Sequence, residues 1–478
     1  MHIVLAGQRP ARGRRFGGKD TMNFTRFRAG IFLGLFLLGL TSSFAPAQAR
    51  GLSLIRDSEI EALLNEYARP IFKAAGLGSG RIAMRIVRND AFNAFVIDGR
   101  NVFVHTGMLM QSETPNQVIG VVAHEAGHIA GGHMASLRHR IKKDQTRALL
   151  LQILAVGLMG AGAAAGDREV AGAGTGLLYG GNEIVMRSLL AERRSQESAA
   201  DQAGLAYLRA TKQSGRGMLE TFERFAQQEY ISDTYKDPFV RSHPIATNRL
   251  NQLRRLVERS KYYNQVDSAE MQLRHDLMRA KLSGYLEPPS TVFNRYPRTD
   301  TSLPARYARG IARYFQGGSG GLQAALAEID YLINARPTYP YFREVKGDLL
   351  MRSGKSKQAI PHLRKAISLA GGGASLIRVQ LASALQNSGQ RGSVKESVKL
   401  LRKSLIGDKN PRAYRLLATA YYKQGDRPKA DAMTAQAYFL EGNLQQAQIF
   451  ATRAHRALKA GSPEWIKNED ILKFQPRG

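Results

Sequence analysis

The chain has 478 residues, 43% of them hydrophobic and 23% charged, which is enough for two or three globular domains. Its 69 Lys and Arg residues outnumber 39 Asp and Glu residues, giving a formal net charge of +30. The absence of cysteine excludes a disulfide scaffold, thiol catalysis and any cysteine-ligated metal site. A metal must therefore be held by His, Asp or Glu.

Residues 22–49 have the features of a secretory signal peptide. Basic residues precede the apolar run 29–40, and an A-x-A motif ends at Ala49. The run is shorter than the roughly 20 residues of a membrane span. We therefore expect export with cleavage after Ala49. We interpret residues 1–21 as preceding the true start at Met22, the alternative being a long basic region of the signal.

Residues 50–265 mix strand and helix patterns. Two β-rich runs, 81–87 and 94–104, predict a small sheet, and helical patterns follow them. Residues 266–305 combine a helical pattern with a stretch rich in Pro, Ser and Thr, which predicts a connecting helix and linker.

Residues 306–478 contain an internal repeat. Small or apolar residues recur at the same helical spacing in five successive units: Ala325-Ile329-Leu332, Ala359-Leu363-Ala366, Ser397-Leu401-Ser404, Ala430-Thr434-Ala437 and Ala447-Ala451-Ala454. Three of them follow a small residue at a matching position, namely Gly347, Ala382 or Ala418. The pattern resembles tetratricopeptide repeats, which are helical hairpins of about 34 residues that stack through small-residue contacts.

Positive charge is concentrated on the repeats, where residues 301–478 hold 29 Lys and Arg against 12 Asp and Glu. This surface is either simply solvated or attractive to acidic partners and anionic membranes. Export and the lack of an aromatic–basic motif argue against a nucleic acid partner.

The sequence His124-Glu125-Ala126-Gly127-His128 lies on a predicted helix. Its start is marked by Thr114, Pro115 and Gln117, which predict an N-cap, a first-turn proline and a capping-box glutamine. The i, i+4 spacing puts both imidazoles on one face, where they can share a Zn²⁺ ion. Glu125 can then reach a water molecule beside the metal and accept its proton during attack on a peptide carbonyl.

A catalytic zinc needs a third protein ligand. On a continuous helix His133 lies about 180° from His124, so we interpret it as a structural histidine. Glu197 is the better choice, on a helix predicted from Asn182 onward whose Ala199 and Ala200 allow close packing. Asp201, one turn later, can accept the second N–H of a ligating histidine. The alternative is that both acids belong to an ordinary solvated helix face.

H-E-x-x-H followed some seventy residues later by E-x-x-A-D resembles the HtpX and CAAX-prenyl-protease family of gluzincin metallopeptidases. The signal peptide and the repeats narrow this resemblance to a periplasmic branch that acts in outer-membrane β-barrel assembly. The resemblance implies that His124, His128 and Glu197 bind one zinc ion per chain. It also implies that Glu125 is the general base and that Asp201 supports a zinc ligand.

The resemblance extends to two further elements. Ser242-His243-Pro244 with Arg249 is similar to a T/S-H-P…R element of the family, whose loop histidine sits near the metal. His243 would then either occupy the open zinc position and keep the protease latent, or donate a hydrogen bond to the oxyanion. Residues 93–96 and 101–105 resemble the edge strand along which an extended substrate would lie, the alternative being a plain sheet strand.

Residues 148–166 are apolar except for Gln152, and a Gly- and Ala-rich run follows at 170–181. A run of nineteen residues with one polar side chain reaches the lower limit for a membrane span. Because His124 and Glu197 must meet on one side of this segment, we favour a hairpin that covers the site or touches a membrane surface.

The predicted fold is mostly α: an α+β gluzincin-type metallopeptidase domain followed by a tetratricopeptide solenoid. The predicted protein is a periplasmic zinc endopeptidase with chaperone activity that degrades misfolded outer-membrane β-barrel proteins. Its expected partners are those proteins and, through the repeats, their assembly machinery. Two alternatives stay open: a repeat chaperone or adaptor with a latent protease site, and an integral-membrane protease.

Overall fold

The computed structural model describes residues 53–78, 82–97, 99–165, 168–226, 228, 237–318 and 320–475. The predicted signal peptide at residues 22–49 and the segment 1–21 lie outside these ranges, and both interpretations stay predictions.

The N-terminal half combines four short strands with eight helices among the described residues. The strands are β1 (Leu54–Ile55), β2 (Ala83–Val87), β3 (Ala94–Val96) and β4 (Asn101–His105). The helices are α1 (Ser58–Ala74), α2 (Thr106–Gln111), α3 (Pro115–Ala130), α4 (His133–Ala165), α5 (Arg168–Ala210), α6 (Arg216–Ala226), α7 (Pro238–Ser242) and α8 (Thr247–Glu258).

The strands form one mixed sheet in the order β1-β2-β4-β3. Strands β2 and β4 are parallel, with Ala83 opposite Asn101, and β1 and β3 pair antiparallel at the two edges. Of the two stretches expected at an edge, only 94–96 lies there. Residues 101–105 pair on both sides and are interior, because β2 takes the other side of β4.

Helix α3 begins where the sequence predicts. The Thr114 hydroxyl accepts the Gln117 N–H at 3.4 Å, and the Gln117 side chain accepts the Glu113 N–H at 2.7 Å. Pro115 stands in the first turn, where a backbone N–H would have no intrahelical partner. Every residue from Gln117 to His128 is buried, so the hydrophobic core fixes the position of this helix.

Helices α4 and α5 pack against each other as a hairpin of two long helices. Arg140 on α4 reaches the Glu192 carboxylate and the Ser188 hydroxyl on α5. Helix α5 begins at Arg168, well before the predicted start at Asn182, and continues without a break past Glu197. Within the described residues, no helix combines the length and the apolar character needed to cross a membrane.

The C-terminal half is helical throughout its regular elements. It begins with α9 (Ala269–Leu286) and α10 (Pro289–Arg295). Paired helices follow: α11 (Leu303–Gln316), α12 (Gly321–Ala335), α13 (Pro340–Arg352), α14 (Ser356–Ala370), α15 (Ser375–Asn387), α16 (Ser393–Ser404), α17 (Pro411–Lys423), α18 (Arg427–Leu440), α19 (Leu444–Ala457) and α20 (Pro463–Lys473). The predicted fold class, a mixed α+β unit followed by a helical repeat array, is confirmed.

The repeated small residues lie between packed helices. Ala325, Ala359 and Ala437 are completely buried on the second helices of their pairs. On the first helix of one pair, a Cβ at Gly347 would lie 2.7 Å from Leu363. Glycine is therefore required there because the facing side chain fills the space of a larger residue.

Helix α9 joins the two halves by contributing to both hydrophobic cores. Met278 and Leu282 belong to the core around the sheet and α3, whereas Leu277 and Ala280 belong to the core of the first repeats. The predicted boundaries of the connecting segment 266–305 stay predictions, since packing continues across them.

A buried cation on α9 links the two halves electrostatically. The Lys281 Nζ lies 2.8 Å from the Asp57 carboxylate, 3.2 Å from that of Glu59 and 3.7 Å from that of Glu344. Glu59 also accepts hydrogen bonds from the hydroxyls of Tyr307 and Tyr339 on the repeat side. Burial raises the pKa of Glu59, and the charge of Lys281 acts in the opposite direction. The lysine therefore stabilises the ionised form of this carboxylate.

We expect Lys281→Met to destabilise the protein by about 3–5 kcal/mol, because it leaves buried carboxylates without their cation. Urea unfolding followed by circular dichroism measures the change. Lys395→Met, at an exposed lysine on α16, is the control and should stay within about 0.5 kcal/mol of wild type. Equal unfolding midpoints for the two variants would contradict a stabilising role for this cluster.

Candidate metal centre

The centre is built by close contact between α3 and α5. A Cβ at Gly127 would lie 2.7 Å from the carbonyl oxygen of Ala200, and a Cβ at Gly204 would lie 3.1 Å from the carbonyl carbon of Ala123. Small residues thus let the two backbones touch. Of the two alanines expected at this contact, Ala200 is buried and Ala199 is exposed on the other side of α5.

This contact brings four donor side chains together: His124, His128, Glu197 and His243. Their ligand atoms all lie within 4.8 Å of one another, and all four residues are buried. The Nε2 atoms of His124 and His128 are 3.0 Å apart, and each lies 3.4 Å from a Glu197 oxygen. Donor atoms at about 2.1 Å from a tetrahedral Zn²⁺ would be about 3.4 Å apart, so these spacings suit such an ion.

Asp201 and Arg249 contact His124 and Glu197 and hold these side chains in position. The Nδ1 of His124 is 2.9 Å from the Asp201 carboxylate, which leaves Nε2 facing the other donors. The Arg249 guanidinium donates to Asp201 at 2.8 Å and lies 3.0 Å from Glu197. It also donates to the Pro244 carbonyl at 2.8 Å. One arginine therefore ties α5 to the loop that carries His243.

His243 is buried and lies against the other three side chains. Its Nδ1 lies 3.1 Å from Nε2 of His124 and 3.2 Å from Glu197. The loop is held by Phe239, which packs among core aromatic rings, and by a hydrogen bond from the Ser242 hydroxyl to Asn93. The imidazole thus stands where a fourth ligand would stand.

Glu125 lies beside the donor set. Its Oε1 is 3.3 Å from Nε2 of His243, but the two atoms are not aligned as a hydrogen bond, and neither has another partner among the described residues. Burial raises the pKa of Glu125, with the nearby imidazoles acting in the opposite direction. A carboxylate whose pKa is shifted towards neutrality is suited to accept and return a proton.

The electrostatics of the centre favour a cation. Burial alone would raise the pKa of Glu197, but the imidazoles of His243, His124 and His128 hold it well below its usual range. Burial lowers the pKa of His128 to about 4, so this ring is neutral at pH 7. His124, despite burial, has its pKa raised to about 9 by Asp201 and Glu197. The carboxylates of Glu197 and Asp201 therefore favour positive charge in the centre, as a divalent metal ion requires.

His133 does not point away from the centre, as a continuous helix would require. Helix α3 ends at Ala130, and His133 is the first residue of α4. Its Nδ1 lies 2.9 Å from Nδ1 of His128. The two glycines at 131 and 132, a common signal for the end of a helix, were the feature in the sequence from which this contact could have been foreseen.

The donor set fits a zinc ion. Two imidazoles and a carboxylate are the ligands of many catalytic zinc sites, which keep a fourth position for water or substrate. Oε1 of Glu125 and Nε2 of His243 are buried beside these ligands and have no hydrogen-bond partner among the described residues. Together with an H-E-x-x-H helix, the arrangement defines a zinc metallopeptidase.

Comparison with known proteins shows similarity to one peptidase family. Residues 54–257 match the family described as Peptidase family M48. The Beta-barrel assembly-enhancing protease of Escherichia coli K12 is 25% identical over 463 residues, covering 93% of this chain and 88% of its own length. The protein of that name from Yersinia pestis is 25% identical over 82% of this chain and 80% of its own. The segment of this chain that is similar to peptidase family M48, residues 54–257, contains all four side chains of the centre.

Two further similarities are more limited. Metalloprotease LoiP of Escherichia coli K12 is 28% identical over 162 residues, covering 34% of this chain and 57% of its own length. A solved structure described as MamA MSR-1 C2 covers 37% of this chain and 98% of its own at 21% identity, with a TM-score of 0.29. A TM-score this low decides nothing about the fold.

Proposed function

We propose that the protein is a periplasmic zinc endopeptidase that degrades misassembled outer-membrane β-barrel proteins. The observation that carries this proposal is the buried cluster of His124, His128 and Glu197 beside Glu125. The three donors would hold the zinc ion. The periplasmic location and the substrate class rest on the predicted export signal and on the name of the relatives that align over most of this chain.

In the proposed mechanism a bound zinc ion supplies Lewis acidity towards the scissile carbonyl and the attacking water. Glu125 accepts a proton from that water and returns it to the leaving amine. Asp201 keeps the proton of His124 on Nδ1, so that the lone pair of Nε2 stays available to bind the metal. Burial of all these groups strengthens each electrostatic contact.

The edge strand β3 supports a role for extended, unfolded substrates. It lies at the edge of the sheet and packs against α3, the helix that carries both histidine donors. A peptide that adds to this edge would bind through backbone hydrogen bonds, which are largely independent of side-chain identity. Such binding is suited to misfolded proteins of varied sequence.

We expect purified protein to contain about one zinc ion per chain. His124→Ala and Glu197→Ala should lose the metal because each removes a ligand. Glu125→Gln should keep zinc and lower hydrolysis of an unfolded β-barrel protein by about 10²–10⁴-fold, since an amide cannot accept the proton of water. Elemental analysis and a gel-based degradation assay measure both quantities.

His139→Ala and Glu258→Gln are the matched controls, because both residues are exposed. They should leave zinc content and activity unchanged. Full zinc occupancy in Glu197→Ala would show that another residue is the third ligand.

For His243 we propose a latch rather than an oxyanion donor. Its Nδ1 lies 3.1 Å from Nε2 of His124 and 3.2 Å from the Glu197 carboxylate. These distances are similar to the 3.0 Å between the Nε2 atoms of His124 and His128. An imidazole in this position would exclude water and substrate from the metal. The same position would make the protein a repeat-based chaperone whenever the latch is closed.

Replacing His243 by alanine should raise basal proteolysis, including self-cleavage, while zinc stays bound to the other three residues. The reason is that the variant frees the fourth position. Time courses with an unfolded substrate, with zinc content measured in parallel, test this. A fall in activity of about 10²–10³-fold with zinc retained would instead assign His243 to the oxyanion.

We also propose that the α4–α5 hairpin binds an anionic lipid surface. Leu149, Leu150, Ile153 and Leu154 expose between 54% and 62% of their surface. The exposed Lys142 and Lys143 lie two turns before Leu149 and Leu150, and therefore on the same face of α4. An apolar face with adjoining lysines is typical of helices that lie in a lipid headgroup region.

Leu150→Ser with Ile153→Ser should weaken co-sedimentation with phosphatidylglycerol vesicles at least about tenfold, because the apolar contact is lost. Wild-type binding should fall at high salt and on pure phosphatidylcholine. Ile406→Ser is the control, since Ile406 is 86% exposed on the repeats. Failure of wild type to sediment with anionic vesicles would reject this proposal, as would self-association through the same residues.

A further inference from the structure

His133 stands behind the metal centre in a geometry that its position in the sequence did not predict. Its Nδ1 lies 2.9 Å from Nδ1 of His128, and the two rings are nearly perpendicular, at 80°. The opposite nitrogen of His128, Nε2, faces His124 and Glu197. His128 therefore contacts the donor set through one nitrogen and His133 through the other.

The tautomers follow from this arrangement. If Nε2 of His128 is a metal ligand, it carries no proton, and the ring proton is on Nδ1. That N–H has Nδ1 of His133 as its acceptor, so His133 must carry its own proton on Nε2. The relation is the counterpart of that between His124 and Asp201, in which a carboxylate accepts the Nδ1 proton.

The turn between α3 and α4 makes this contact possible. Gly132 has φ +63°, a conformation that disfavours a side chain, and it lies in the short turn between α3, which ends at Ala130, and α4, which starts at His133. Side chains lean towards the N-terminus of their helix, which tilts the His133 ring back over the end of α3. The ring occupies the space beside Gly131, where a Cβ would lie 2.4 Å from Nε2 of His133.

We propose that His133 is a positioning residue that fixes the tautomer and orientation of His128. This inference rests on the proposed zinc site. A ligating histidine whose outer N–H lacks a partner can rotate or protonate the wrong nitrogen, and loss of such partners typically costs 10–100-fold in metal affinity. Gly131 takes part indirectly by leaving room for the His133 ring.

The test compares two replacements of His133. Leu has a similar size and no acceptor, whereas the Gln side-chain oxygen can accept from His128. We expect His133→Leu to weaken zinc binding about 10–100-fold in competition with a chelator. His133→Gln should recover most of the loss. Thermal unfolding should be little changed in both, because the ring of His133 is only partly buried.

A double-mutant cycle tests the role of Gly131. Gly131→Ala should displace the ring and weaken zinc binding by itself, but it should have little further effect in the His133→Leu background. Gly172→Ala is the control, since a Cβ there meets nothing within 4 Å. Additive losses in the double variant would overturn the inference.

A direct readout is the tautomer of His128. The sequence has ten histidines, so ¹⁵N-histidine labelling gives few imidazole signals. The zinc-loaded wild type should show His128 protonated on Nδ1, and this signal should change in His133→Leu. Equal zinc affinities for wild type, Leu and Gln variants would refute the role of His133 while leaving the zinc site intact. A wild type that binds no zinc would instead refute the proposed function.

Discussion

The close approach of α3 and α5 is the constraint on which the centre depends. A metal ion gathers its ligands within a few ångströms, yet two ordinary helices pack with their axes 8–10 Å apart, as set by the side chains between them. Gly127 against Ala200 and Ala123 against Gly204 remove those side chains at the contact. Larger residues there would separate Glu197 from both histidines without changing any donor.

Behind this contact the donors are held by a continuous set of charged and polar partners. Arg249 contacts Asp201, Glu197 and the Pro244 carbonyl. It therefore links α5 to the loop that carries His243. A buried carboxylate that serves both a ligand and an arginine is costly to leave unpaired. The resting position of His243 is therefore coupled to the geometry of the ligands themselves, which suits a latch.

The repeats are joined to this unit by packing and by charge. Helix α9 contributes to both cores, and Lys281 sits between carboxylates from each half. The repeat array consequently has a fixed attachment next to the peptidase, in contrast to a repeat domain on a flexible tether. A protein bound to the repeats would be held at a defined place relative to the sheet.

Spacing along single helices was enough to predict the H-E-x-x-H helix, its N-terminal cap, the Glu197–Asp201 pair and the repeat pattern. Features that depend on contacts between elements could not be predicted in this way. Strand 101–105 is interior because β2 pairs with it across the sheet, and Ala200 rather than Ala199 meets α3 because of the rotation of α5. His133 contacts His128 because the helix is interrupted at Gly131 and Gly132 and a new helix starts at His133. Helical spacing cannot be extended through such a turn, since the phase of the next helix is set by packing.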